Sequence, residues 1–142
     1  MKTTNDLMNT LTKNVNTSKE LDDSINNIDK YKDLDFITYF DTIMKSHNHK
    51  KSDLAKNSNI SRTYVYQLLN GTKKASRDNI IALCITSDFT LEETIRCLEI
   101  SKEGILYPKN KRDSLIIYAI NHKYNISKSN ELLFKNNEVT LS

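Results

Sequence analysis

Glycine and proline are almost missing from this chain, whose 142 residues contain two Gly, one Pro and no Trp. A many-stranded sheet needs tight turns rich in those residues, so their shortage argues against sandwiches and barrels and favours helices joined by short polar loops. Cysteine is scarce too. Cys84 sits beside Leu83 and Ile85, and Cys97 beside Leu98, without paired spacing, so both read as small buried hydrophobes rather than a disulfide or a zinc ligand set. No apolar run is long enough to cross a bilayer, and the opening Met1-Lys2-Thr3-Thr4-Asn5-Asp6 leads into no signal-peptide core. The expectation is a cytoplasmic protein with no membrane partner.

Catalytic equipment is absent as well. No paired carboxylates, nucleophile beside a base, or Gly-rich phosphate loop stands out, and the acids Glu92, Glu93 and Glu99 are accounted for by helix capping and solvent. His47 and His49, two residues apart with no Cys nearby, read as solvated loop residues, and His122 stands alone. The sequence therefore points away from an enzyme and implies no metal and no cofactor.

What is present begins with charge. The net charge of +3 is unevenly spread: residues 36–74 carry Lys45, Lys50, Lys51, Lys56, Arg62, Lys73 and Lys74 against Asp41 and Asp53, a net of +5, while residues 1–35 come to −2. A phosphate backbone rewards such a concentration through counterion release.

Hydrophobic spacing sets the organisation. Residues 1–32 are polar, with a short amphipathic helix suggested only by Leu7, Met8 and Leu11. With Asp33 or Asp35 as N-cap, Phe36, Ile37, Phe40, Ile43 and Met44 repeat at helical steps to about Ser46; Leu54-Ala55 mark a second short helix near 51–57. Ser76 opens a fourth helix, and the capping box Thr90-Leu91-Glu92-Glu93 a fifth. An echo follows at an offset of 35 residues: Arg77-Asp78 with Ile80, Ile81 and Ile85 parallels Arg112-Asp113 with Leu115, Ile116 and Ile120, and Leu98 parallels Leu133. One helix-loop-helix unit is used twice, with Pro108 between the copies. The second copy, in residues 105–142, is a candidate element for dimerisation or for binding a protein partner.

The third helix carries the most chemistry. Over residues 61–70, Ser61 can cap the start and Asn70-Gly71 can end it; Val65, Leu68 and Leu69 form one stripe, and Arg62, Thr63, Tyr66, Gln67 and Asn70 the opposite one. Arg to guanine and Gln to adenine are geometrically favoured pairs in a DNA major groove.

Residues 34–84 resemble the lambda-repressor-like (XRE) helix-turn-helix family in Leu54-Ala55, in Ile60-Ser61-Arg62-Thr63-Tyr64-Val65 with Leu68, and in Asn70-Gly71 followed by Lys73, Lys74 and Ser76. The resemblance implies an all-α, five-helix DNA-binding domain over 33–104 with a C-terminal helical extension, working on double-stranded DNA as a homodimer with half-sites ~34 Å apart. It implies base contacts from Arg62, Thr63, Tyr66 and Gln67 and phosphate contacts from Lys51, Asn70, Lys73 and Lys74. Tyr64 is expected to pack against the turn. Three departures stand out: Lys50-Lys51 where Thr-Gln is common, Leu69 for a frequent Glu, and Ala75 for a frequent Pro. Asn59 replaces a usual Gly in the turn, which Asn tolerates. The function implied is a sequence-specific transcriptional regulator. The rival is a protein-interaction adaptor that uses the fold as a scaffold, with Tyr66 and Leu69 as surface anchors.

Overall fold

Seven helices and no strand make up residues 35–142, the part of the chain described by the computed structural model. The helix suggested by Leu7, Met8 and Leu11, and the cap at Asp33, lie outside the described residues. The helices are α1 (Phe36–Ser46), α2 (Lys51–Asn57), α3 (Arg62–Leu69), α4 (Arg77–Thr86), α5 (Leu91–Ile100), α6 (Lys111–Asn121) and α7 (Ile126–Lys135).

Side-chain caps fix where they start. Asp35 accepts the Thr38 backbone N–H at 2.8 Å, Ser61 that of Tyr64 at 3.3 Å, and Ser76 that of Asn79 at 3.2 Å. Thr90 and Glu93 complete the reciprocal capping box at 3.2 and 2.8 Å. Each bond satisfies a first-turn donor that has no partner inside the helix. The helix ends show how a chain with little glycine turns corners: Asn48, Asn59, Asp88, Lys102, Lys123 and Asn137 all adopt positive φ between 56° and 63°, beside Gly71 at 86°. Asn59, at φ 63°, takes the left-handed turn expected between α2 and α3.

The α4–α5 hairpin is the middle of the molecule. Ile80 to Ile85 are all buried, so α4 is apolar around its whole circumference, as a central helix must be. It packs on α2 on one flank and α7 on another, while α5 packs on α1 and on α6. One continuous core results, running from Tyr39, Phe40 and Met44 through Leu54, Val65 and Leu68 to Ile116, Leu133 and Leu141. Cys84 and Cys97 lie inside it as free thiols, and burial pushes the Cys84 thiol well above its ordinary value. Both therefore behave as the small hydrophobes that their neighbours suggested.

The sequence echo is also a structural one. Asp88 and Lys123, 35 residues apart, take the same left-handed turn; Phe89 N–H donates to Cys84 O at 3.0 Å as Tyr124 N–H donates to Ala119 O at 2.9 Å. Lys102 and Asn137 form the second matching pair of turns, with Glu103 N–H to Leu98 O and Glu138 N–H to Leu133 O both at 2.9 Å. Buried Thr94 and Ser129 each return a hydroxyl to the carbonyl four residues back. Thus α6–α7 repeat α4–α5 turn for turn.

His47 and His49 are not solvated loop residues. His47 Nε2 lies 2.7 Å from Glu93 Oε1 and its ring stacks on Phe89 at 5.6 Å between centroids, while His49 Nε2 lies 2.8 Å from Asp88 Oδ2. The α1–α2 connection is therefore tied to the α4–α5 turn by two side-chain hydrogen bonds. Spacing gave no hint of this, because the partners lie 46 and 39 residues away.

Candidate nucleic-acid interface

The third helix divides as its periodicity requires. Val65, Leu68 and Leu69 are buried against α2 and the core, and Arg62, Thr63 and Asn70 are exposed, with Tyr66 and Gln67 half-buried beside them. Leu69 is thus a core residue and offers no surface anchor beside Tyr66; at helical spacing it follows Leu68 and Val65 onto the inner stripe. The guanidinium of Arg62 lies over the Tyr66 ring, 5.5 Å from its centroid. That i,i+4 contact restrains a long side chain at the helix start, which lowers the entropy lost when it meets a ligand.

Tyr64 faces away from this stripe. Its hydroxyl accepts a hydrogen bond from Asn79 Nδ2 at 3.4 Å, joining α3 to α4. The turn before α3 is equally built: Ser58 is fully buried, and its hydroxyl accepts Ile60 N–H at 3.2 Å beside left-handed Asn59. The helix is positioned at both ends.

Beyond α3 the chain folds back on itself. Asn70 Oδ1 accepts both the backbone N–H and the hydroxyl of Thr72, at 3.2 and 2.8 Å, and Lys73 N–H donates to Gln67 O at 3.1 Å. Gly71 needs its positive φ, and a Cβ there would stand 2.8 Å from Ile37 Cδ1. The loop so shaped leaves Lys73 and Lys74 exposed, and leaves the Asn70 amide N–H2 group as a donor.

On the other side of α3 runs an open groove of about 640 Å³, lined by Tyr66 of α3, Lys50 and Lys51 at the start of α2, and Thr38, Asp41 and Lys45 of α1. Asp41 is paired with Lys45 at 2.8 Å. No ion pair joins Lys51, Lys73 or Lys74 to a carboxylate among the described residues. Lys51 occupies the first position of α2, where its ammonium and the orphan backbone N–H groups all favour an anion. The residues singled out from the sequence therefore fall into two sets around α3: Arg62, Thr63, Tyr66 and Gln67 along its outer stripe, and Lys51, across the groove from Tyr66, with Asn70, Lys73 and Lys74 beyond its C-terminal end.

Residues 40–97 match the family model of the Cro/C1-type HTH DNA-binding domain. This segment is a Cro/C1-type helix-turn-helix domain. No curated protein and no solved structure matches the chain. The matched Cro/C1-type segment begins inside α1 and ends inside α5, so α6 and α7 lie wholly beyond it. It contains the basic stretch, the capped α3 and the lysine loop, and it agrees with the likeness read from residues 34–84. DNA binding is the activity of that domain. Among the described residues no three His, Cys, Asp or Glu side chains converge on a metal position, and no helix is long and apolar enough to cross a membrane.

His47 and His49 belong to the account of this site although spacing gave no reason to include them. They fix the segment that carries Lys50 and Lys51 onto the α4–α5 turn, so the α2 start is held from behind.

Proposed function

We propose that the protein is a sequence-specific transcriptional regulator that places α3 in the DNA major groove. Arg62, Thr63, Tyr66 and Gln67 face base edges, and Lys51, Asn70, Lys73 and Lys74 hold the backbone on either side. The observation that carries the reading is the division of α3: three apolar residues are buried while four side chains able to donate, accept or stack stand together on its opposite stripe. Side chains of that kind supply discrimination in a groove, and the flanking lysines supply affinity that salt weakens.

Selection of bound duplexes from a random pool, carried out at two salt concentrations, tests it. A recovered consensus whose affinity falls steeply with salt is the expected result. Recovery of no preferred sequence would remove the base-reading role of α3. The adaptor reading rests on the second copy, where Phe134 and Val139 are 75% and 73% exposed. It would gain if no duplex were bound at either salt while a protein partner were retained at both.

A further inference from the structure

The two copies of the repeated hairpin hold each other by a crosswise pair of charged clasps. Arg77 of the first copy donates from Nη1 and Nη2 to Asp113 of the second at 3.1 and 2.9 Å, and Arg112 of the second donates from Nη1 and Nη2 to Asp78 of the first at 2.9 and 3.0 Å. Both forks are bidentate, the geometry that gives an Arg–carboxylate pair most of its strength. Each arginine is also anchored to the tail that leaves its own hairpin: Arg77 donates to Gly104 O and Ile105 O at 2.7 and 3.0 Å, and Arg112 to Val139 O and Thr140 O at 2.9 and 3.4 Å. Those carbonyls are equivalent under the same 35-residue offset, and so are buried Leu106 and Leu141. The helix packing obeys the same exchange, since α4 meets α7 while α6 meets α5.

An arrangement in which copy one treats copy two as copy two treats copy one is an approximate two-fold axis inside a single chain. Such an interface is self-complementary by construction. If a second α4–α5 hairpin replaced α6–α7, Arg77 of each would face Asp78 of the other, and both clasps would survive.

We propose that α6–α7 is an internal substitute for a second copy of the chain: it fills the self-complementary face of α4–α5 and keeps the protein monomeric. Releasing it exposes that face, and the occupant that fits is the α4–α5 hairpin of another molecule. The recognition helix lies in the α1–α3 layer, packed on α4 through α2 and on α5 through α1, and takes no part in this contact. The inference does not depend on what α3 binds.

Sedimentation velocity of the full chain tests it with two variants. The wild type is expected to run as a monomer. In R112D/D113R the second copy presents Asp to Asp78 and Arg to Arg77, which repels the hairpin yet leaves Arg77 and Asp78 intact, so the mass should double. Adding R77D/D78R restores opposite charges within the chain, and the fourfold variant should return to a monomer with wild-type helicity. A dimeric wild type would overturn the proposal. So would a double variant that stays monomeric, one that loses its helicity or aggregates without a defined mass, or a fourfold variant that remains dimeric.

Discussion

The α4–α5 and α6–α7 hairpins share their turns, their returning hydroxyls and their half of the clasp, yet they sit in different surroundings. In the first copy Leu83 is fully buried, whereas its equivalent in the second, Tyr118, is 46% exposed and stacks on His122 at 3.8 Å. The first copy is covered on one flank by α1 and α2 and on another by its own duplicate. The second rests mainly on the duplicate, with the Ser142 hydroxyl at its end donating to Ser58 O beside the α2–α3 turn at 3.4 Å. The repeated unit thus specifies one interface, the clasp, and the remaining flank differs: in the first copy it backs the α1–α3 layer, and in the second it carries exposed Tyr118.

Substitutions at equivalent positions can break this comparison, and the largest effect belongs to the flank that differs. Leu83→Ala should destabilise the fold by about 2–5 kcal/mol in urea titration, since it opens a cavity in a filled core, whereas Tyr118→Ala should cost less than about 1 kcal/mol. Equal losses would show that the second copy is packed on both flanks as the first is. The clasps come next. The Asp113 side chain retains 9% of its surface and that of Asp78 36%. Asp113→Ala removes the nearly buried carboxylate that accepts both the Arg77 fork and Tyr107 N–H and should cost about 3 kcal/mol, and Asp78→Ala, at the more exposed clasp, about 1 kcal/mol, by the same titration. Caps should behave alike in both copies: Thr90→Ala and Asn125→Ala each remove a side-chain acceptor at an N-terminus and should each lower stability by about 1 kcal/mol. The smallest difference is one of charge and place. Lys73→Ala should reduce the salt slope of duplex binding by about 1, while Lys128→Ala, on the second copy, should leave that slope unchanged.

Much of this was legible in the chain. Asp35, Ser61, Ser76 and Thr90 mark helix starts because a first-turn N–H needs an acceptor within three residues, and local chemistry of that range is written in order along a sequence. The inner stripe of α3 followed from its period, and Asn59 from its tolerance of positive φ. The 35-residue echo was visible, but the clasp was not. Each arginine takes its carboxylate from the opposite copy, and only the docking of one hairpin on the other brings them together. The histidine contacts are hidden from the sequence for the same reason, since Glu93 and Asp88 reach His47 and His49 across the fold. Leu69 could be placed on the core side by spacing, whereas its use as a surface anchor fails because, although one turn from Tyr66, it is buried. Long-range pairs of single side chains leave no period for a sequence to display.

The central claim is that the outer stripe of α3 reads bases while the lysines beside it do not. It is tested most directly by measuring, at one salt concentration, the affinity of the wild type and of Gln67→Ala and Arg62→Ala for the selected duplex and for every single-base-pair change of it. Each variant should lose about 1–3 kcal/mol on the selected duplex and should stop discriminating at one base-pair position while keeping the preferences of the wild type elsewhere. A uniform loss at all positions, or no loss at all, would contradict the assignment.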